Sequence, residues 1–250
     1  MNDLVLKVEN LSKRFAGFVA VNNVNLDVRD GAIHALIGPN GAGKTTFFNL
    51  LTGNMRPSGG SIHFKGREIA GLPSASVSNL GLVRSFQISS IFPDFTALNN
   101  VRFALQRTRG SNLDFWRSEN VLHDLDDRAF DLLEQLDLAD FADTRAGDLP
   151  YGRKRALEIA TTLAVDPEVL LLDEPTSGMG REDIGKVVGL IQRIRKGRTI
   201  LMVEHNLSVV KGLCDFVTVL ARGKVIASGK YDDVANDPQV VTAYLGTAHA

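Results

Sequence analysis

The nonapeptide Gly38-Pro39-Asn40-Gly41-Ala42-Gly43-Lys44-Thr45-Thr46 carries the spacing G-x-x-x-x-G-K-[ST]. An apolar run precedes it, Ala32-Ile33-His34-Ala35-Leu36-Ile37, and Phe47-Phe48-Asn49-Leu50-Leu51 follows with helical character. Strand, glycine loop, helix is the context in which such a loop holds phosphate. The glycines let backbone N–H groups converge on a phosphate chain without side chains in the way. The helix that follows aims unpaired donors and a partial positive charge at the same anion. Gly38, Asn40, Gly41, Ala42, Gly43, Lys44, Thr45 and Thr46 are therefore candidate nucleotide-binding residues. Lys44 is expected on the β- and γ-phosphates and the Thr45 hydroxyl on Mg²⁺. The bland alternative, a glycine-rich turn with a solvated lysine, leaves the flanking strand and helix without a reason.

Working outward, the chain reads as α/β. Val169–Leu172, Thr199–Val203 and Phe216–Leu220 are apolar almost throughout, as parallel strands buried on both faces are. The N-terminal stretch differs. Leu4, Leu6 and Val8 alternate with Val5, Lys7 and Glu9; Val24, Leu26 and Val28 alternate with Asn25 and Asp27; Ile62 and Phe64 flank His63. That period predicts a half-buried antiparallel sheet. From about Thr96 to Ala142 the period turns helical. Leu122, Leu125, Ala129, Leu132, Leu133 and Leu136 form one stripe, and Arg109-Gly110-Ser111-Asn112 reads as a turn between helices. The spacing thus places a helical subdomain, roughly 90–160, inside the α/β core. Arg222-Gly223 reads as a tight hairpin turn.

Composition narrows the class. The 250 residues are 44% apolar and 23% charged, ordinary for a globular protein, which excludes disorder and fibrous structure. With 28 Lys+Arg against 29 Asp+Glu, the net charge of −1 offers no overall field for nucleic acid, and none is expected as a partner. The one cysteine, Cys214, excludes an internal disulfide and argues for a cytosolic setting. His34, His63, His123 and His249 show no metal-ligand spacing. No apolar run approaches the roughly 18 residues of a membrane span, and Met1-Asn2-Asp3-Leu4 has no secretory character. Any action at a membrane is expected to go through a partner.

A phosphate loop alone fits kinases, GTPases, recombinases and transport ATPases; the absence of Asn-Lys-x-Asp lowers the GTPase reading. The strand Val169-Leu170-Leu171-Leu172 ends in Asp173-Glu174. At the C-terminal edge of a parallel sheet, Asp173 can hold Mg²⁺ through water and Glu174 can orient and deprotonate an attacking water.

Together these motifs resemble the nucleotide-binding subunit of an ATP-binding cassette (ABC) transporter. Four further elements stand in that family's order. Phe15, in Leu11-Ser12-Lys13-Arg14-Phe15, matches the aromatic under adenine, with Phe18 a neighbouring candidate. Gln87, in Val83-Arg84-Ser85-Phe86-Gln87, matches the glutamine that joins metal and lytic water to the helical subdomain. Leu149-Pro150-Tyr151-Gly152-Arg153-Lys154-Arg155 matches the signature, and His205 the switch histidine. The resemblance covers essentially the whole chain. It implies a single ABC ATPase domain over 1–250: a RecA-like parallel-sheet core at about 1–90 and 160–250, an N-terminal antiparallel β subdomain, and a helical subdomain at about 91–159. It implies ATP and Mg²⁺, with Glu174, His205 and Gln87 catalytic and with Thr45, Gln87 and Asp173 on the metal. Tyr151 and Gly152 would close on ATP held by a second subunit. Arg153-Lys154-Arg155 reads equally as a solvated helix face.

Two departures stand out. Pro150 and Tyr151 replace the usual Ser-Gly of the signature, so one hydroxyl donor is missing. Gly180 stands where the loop after Pro175 usually ends in Asp. The motif L-x-Y-G-x-x-R, with the tail Gly229-Lys230-Tyr231, Asp237-Pro238 and Ala243-Tyr244-Leu245-Gly246, is similar to ATPases of branched-chain or hydrophobic amino acid uptake. The implied partners are two transmembrane permeases, a second ATPase subunit (identical or paralogous), and a periplasmic solute-binding protein acting through the permease. The implied location is peripheral, at the cytoplasmic face of the inner membrane. Uptake of urea, amides or aromatic acids, lipopolysaccharide-type export, and a soluble non-transport ATPase are the alternatives. Finally, Ile88-Ser89-Ser90-Ile91-Phe92-Pro93-Asp94-Phe95 has no clean period, and Ile91, Phe92 and Phe95 read either as a partly exposed docking patch for the permease or as side chains that pin the helical subdomain to the core.

Overall fold

The alternating N-terminal pattern becomes two twelve-residue strands, β1 (Leu4–Phe15) and β2 (Phe18–Arg29), paired antiparallel. The computed structural model describes residues 4–85, 91–108 and 119–245. Strands β4 (Gly59–Phe64) and β5 (Arg67–Glu68) complete an antiparallel sheet of order β2-β1-β4-β5. Leu6, Val8, Val24, Val28 and Ile62 are buried from its inner face, as period two requires.

The apolar runs become the second sheet. It is built from β3 (Ile33–Ile37), β6 (Leu82–Arg84), β7 (Val169–Asp173), β8 (Thr199–Val203), β9 (Phe216–Ala221) and β10 (Lys224–Gly229), in the order β10-β9-β3-β8-β7-β6. All neighbours are parallel except β9 and β10. Those two are joined at Arg222 and Gly223, both at positive φ, 48° and 76°, the conformation of the expected hairpin turn. Every residue of β3, β7 and β8 is buried. Helix α1 (Lys44–Leu51) follows the glycine loop. Phe47, Phe48, Leu50 and Leu51 are at most 1% exposed, because they sit in one apolar cluster with side chains of both sheets. A helix apolar on nearly all sides is stable only when covered on nearly all sides.

The chain divides into two units. One comprises Met1–Arg84, Glu168–Ser177 and Ile194–Ala250, and holds both sheets; the other comprises Ser85–Pro167 and Gly178–Arg193. The second is helical: α3 (Ala97–Thr108), α4 (Glu119–Gln135), α5 (Tyr151–Leu163) and most of α6 (Arg181–Ile194), numbered after the short α2 (Ser74–Asn79) of the first unit. On α4, Leu125, Ala129 and Leu133 are buried, as is Leu136 just past its end, while Leu132 is only half-buried at the margin of the stripe. The proposed turn at Arg109-Gly110-Ser111-Asn112 lies outside the described residues.

The aperiodic stretch before α3 is organised by one polar side chain. Asn100, 2% exposed, accepts from the Phe92 N–H at 2.7 Å and donates to the carbonyls of Phe92 (3.1 Å) and Thr96 (2.9 Å). The two readings of the patch divide by residue: Ile91 is 7% exposed and belongs to the core. Phe92 and Phe95 remain open at 43% and 44%, and Phe103 joins them with its ring centroid 5.0 Å from that of Phe92.

Three short helices, α7 (Leu207–Leu213), α8 (Tyr231–Ala235) and α9 (Pro238–Leu245), close the first unit. Tyr231, Val234, Val240 and Tyr244 border an apolar cavity of about 240 Å³ that reaches Ile37, at the end of β3.

Candidate functional site

The glycine loop joins the C-terminal end of β3, in the middle of the parallel sheet, to α1. Its backbone is one that only glycine tolerates at two points. Gly38 has φ 149° and Gly43 φ 103°; a Cβ there would stand 2.0 Å from the Leu220 carbonyl oxygen and 2.4 Å from that of Ala20. Strands β9 and β2 thus clamp the loop from outside, while Asn40 and Gly41 at its crest are exposed. Thr45 is exposed and Thr46 half-buried at the start of α1.

Lys44 is 6% exposed, and its Nζ donates to the carbonyls of Gly38 (2.7 Å) and Pro39 (3.0 Å). Burial pulls its ammonium below the ordinary lysine value, and the charges of Glu174 and Asp173 push it back up. A buried cation whose hydrogen-bond partners are neutral carbonyls fits an incoming phosphate. Behind the loop, the Tyr244 phenol hydrogen-bonds the Gly38 backbone, so α9 touches the loop directly.

Asp173 is the last residue of β7 and is 1% exposed. Its carboxylate pairs with Arg84, the last residue of the neighbouring β6. Glu174 follows at φ 48°, a left-handed conformation unusual for a residue with a side chain, held by its N–H on the Val203 carbonyl at 2.9 Å. The register Asp173↔Val203 brings the ends of β7 and β8 together, and His205 Nε2 lies 2.7 Å from Glu174 Oε1. Between them in sequence, Glu204 is 2% exposed and accepts from the Thr176 hydroxyl; burial raises its carboxyl above the usual carboxylate range. This bond fastens the strand end bearing His205 to the loop after Glu174.

Phe15, at the end of β1, is 38% exposed and stacked on Phe18 with centroids 5.3 Å apart. The two rings form one exposed aromatic surface. Their hairpin reaches the glycine loop through Ala20. Gln87 lies outside the described residues.

In the helical unit, Tyr151 and Gly152 are the first two residues of α5, whose N-cap is Pro150. Proline suits this start because its missing N–H is one the helix leaves unpaired. The intrahelical ladder begins with Lys154 N–H on Pro150 O at 2.9 Å, so the Gly152 and Arg153 amides lie in the first turn. Tyr151 is 60% exposed. The basic run that follows is half-buried and engages the protein. Arg153 bonds the Asp137 carbonyl and stacks over Phe141, Lys154 holds the Gly147 carbonyl at 2.6 Å, and Arg155 pairs with Glu158 at 2.6 Å.

Arg84, Glu204 and Tyr244 are the neighbours of the site that motif reading missed.

A glycine loop between a buried parallel strand and a buried helix, with an acidic pair ending a strand of the same sheet, defines a P-loop nucleotide-binding fold. The family model described as ABC transporter matches residues 21–177, and that of the branched-chain amino acid ATP-binding cassette transporter matches 224–250. The chain is 38% identical to the high-affinity branched-chain amino acid transport ATP-binding protein BraF of Pseudomonas aeruginosa, over 99% of this chain and all of that one. It is equally similar, with the same coverage, to LivG of Escherichia coli, which bears the same description. Among solved structures, the ADP conformation of MJ1267, an ATP-binding cassette of an ABC transporter, superimposes with a TM-score of 0.86 at 30% identity, covering 97% of this chain and 99% of that one. The chain therefore belongs to the ABC transporter family, as an ATP-binding subunit that hydrolyses ATP. Such subunits work with membrane permeases; among the described residues no helix is long and apolar enough to cross a membrane.

Proposed function

We propose that two copies of this fold enclose Mg²⁺-ATP, that Glu174 and His205 drive its hydrolysis, and that the cycle powers import of branched-chain or other hydrophobic amino acids. The observation that carries the catalytic part is the 2.7 Å contact between Glu174 and His205. A carboxylate in contact with an imidazole can take a proton from water while the imidazole orients it and donates toward the γ-phosphate. Lys44 and the loop amides hold the phosphates, and the Phe15–Phe18 platform stacks on adenine. The hydroxyl of Thr45 and the carboxylate of Asp173 are hard oxygen donors that suit Mg²⁺. When bound, Mg²⁺ would neutralise phosphate charge and orient the leaving group. Gln87 is assigned to metal and lytic water by motif order.

Tyr151 and Gly152 would present the first turn of α5 to ATP on the second subunit, which is identical or paralogous. The exposed Phe92, Phe95 and Phe103 would receive a permease segment at the cytoplasmic face of the inner membrane. The named relatives and the match over 224–250 support branched-chain amino acids as the solute, chosen by a periplasmic binding protein and the permeases.

Glu174→Gln tests the catalytic part. The variant should bind ATP, lose on the order of 100-fold or more in hydrolysis rate, and elute as an ATP-bound dimer in chromatography with Mg²⁺. Hydrolysis at the normal rate would remove Glu174 from the base role. Co-purification with the permeases, followed by an ATPase assay with leucine-, urea- or aromatic-acid-loaded binding proteins, tests the solute.

A further inference from the structure

Arg84 ends the three-residue strand β6, and its side chain is only 9% exposed. A buried guanidinium is costly unless its donors are satisfied; here both terminal nitrogens are engaged, while Nε is buried without a hydrogen-bond partner. Its partners all lead to the nucleotide site. Nη2 pairs with Oδ2 of Asp173, Nη1 donates to Oδ1 of Asn49 at 2.6 Å, and the guanidinium carbon stands 5.6 Å from the centroid of the Phe48 ring. Asn49 and Phe48 lie on α1 four residues beyond Thr45 and Lys44 respectively, hence one turn along the same faces of the helix. One planar fork therefore joins the helix that presents Thr45 to the strand end that presents Asp173.

We propose that Arg84 is a positioning residue for the metal side of the nucleotide site: it fixes the spacing of the Thr45 helix and the Asp173 carboxylate so that both can meet one Mg²⁺ ion. This rests on the assignment of Thr45 and Asp173 to that ion. The fork geometry is essential, because a lysine in its place supplies one point charge and cannot hold Asn49 and Asp173 at fixed directions. Arg84 also repels an approaching cation. The guanidinium is also anchored to α1 independently of Asp173, and the sign of the change in Mg²⁺ requirement separates positioning from repulsion.

The test is equilibrium titration of the purified chain with ATP, first in excess EDTA and then across a range of Mg²⁺ concentrations. The variants are Arg84→Lys, Arg84→Met and Asn49→Ala, with melting curves to confirm folding. Asn49→Ala frees the fork while leaving the buried ion pair in place, so it remains informative if the Arg84 variants fold poorly. Metal-free ATP affinity should be retained, and the Mg²⁺ concentration for half-maximal enhancement of binding should rise about tenfold, the usual effect of losing a residue that orients a metal ligand. An unchanged or lowered Mg²⁺ requirement in folded variants overturns the proposal, as does an equal loss of affinity with and without metal. Asp173→Asn separates the two claims. If it too leaves the Mg²⁺ requirement unchanged, the metal assignment itself fails; if it alone shifts the requirement, only the role of Arg84 fails.

Discussion

Removing the Lys44 ammonium should weaken ATP binding severely without destabilising the nucleotide-free protein, and both halves follow from its surroundings. At 6% exposure the ammonium has left water for two neutral carbonyls, and burial already depresses its pKa. The free protein thus gains little from the charge. Bound phosphate changes this: a charge-assisted hydrogen bond contributes about 1.5–3 kcal/mol, so loss of one or two should cost on the order of 3 kcal/mol, or roughly 100-fold in Kd. Calorimetric titration of Lys44→Ala with ATP reads the affinity, and a melting curve without nucleotide reads the stability. The pH dependence carries a sign as well. Phosphate binding favours the protonated amine, and burial lowers its pKa, so wild-type affinity should start to fall at a lower pH than an ordinary lysine would impose, and the fall should be absent from Lys44→Ala. Near-normal affinity in a folded variant would refute the assignment. A large drop in nucleotide-free melting temperature would show instead that the lysine chiefly braces the loop.

The remaining expectations concern acid stability and docking. His34 on β3 is 3% exposed, shares a 2.8 Å hydrogen bond with the Thr218 hydroxyl, and has its pKa lowered from 6.5 to about 4 by burial. Its folded pKa is depressed, so the stability from keeping it neutral is present above pH 6.5 and lost as pH falls toward 4. That loss is about 3 kcal/mol, and comparing denaturant unfolding of wild type and His34→Gln across this window should isolate it; parallel curves would contradict it. Phe92→Asp and Phe95→Asp alter half-exposed rings, so each should keep the melting temperature and ATP binding yet fail to co-purify with the permeases. Early melting would make these rings core instead, and normal stability with normal assembly would defeat the docking role.

What could be read in advance depended on the range of the interaction. The glycine loop was legible because its chemistry demands fixed residue types within nine positions, and β3, β7 and β8 because burial on both faces leaves uninterrupted apolar runs. The loop before α3 was legible only as irregular. Its order comes from Asn100, a single polar side chain satisfying several backbone groups at once, and such a plug has no period. Ile91 could not be sorted for the same reason: without a period, nothing separates an inward residue from the outward Phe92 beside it. Pairing across strands is a harder case still. Glu174 and His205 were named by motif order, and the structure shows how they meet: Asp173 and Val203 are in register, so the segments leaving the two strand ends run side by side and bring Glu174 against His205, two residues past β8. The same logic reaches Arg84. Its register partner on β7 is Leu171, two residues short of Asp173, and a side chain as long as arginine's spans that offset to the strand end. An arginine placed one strand over and two residues back from a buried carboxylate is thus a pattern defined by register, visible once strand order is known and invisible before it. Because β6 has only three residues, its hydrogen bonds alone specify that register weakly. The buried pair with Asp173 and the bond to Asn49 add the directional contacts that hold it, which ties the placement of this edge strand to the same residues that would bind the metal.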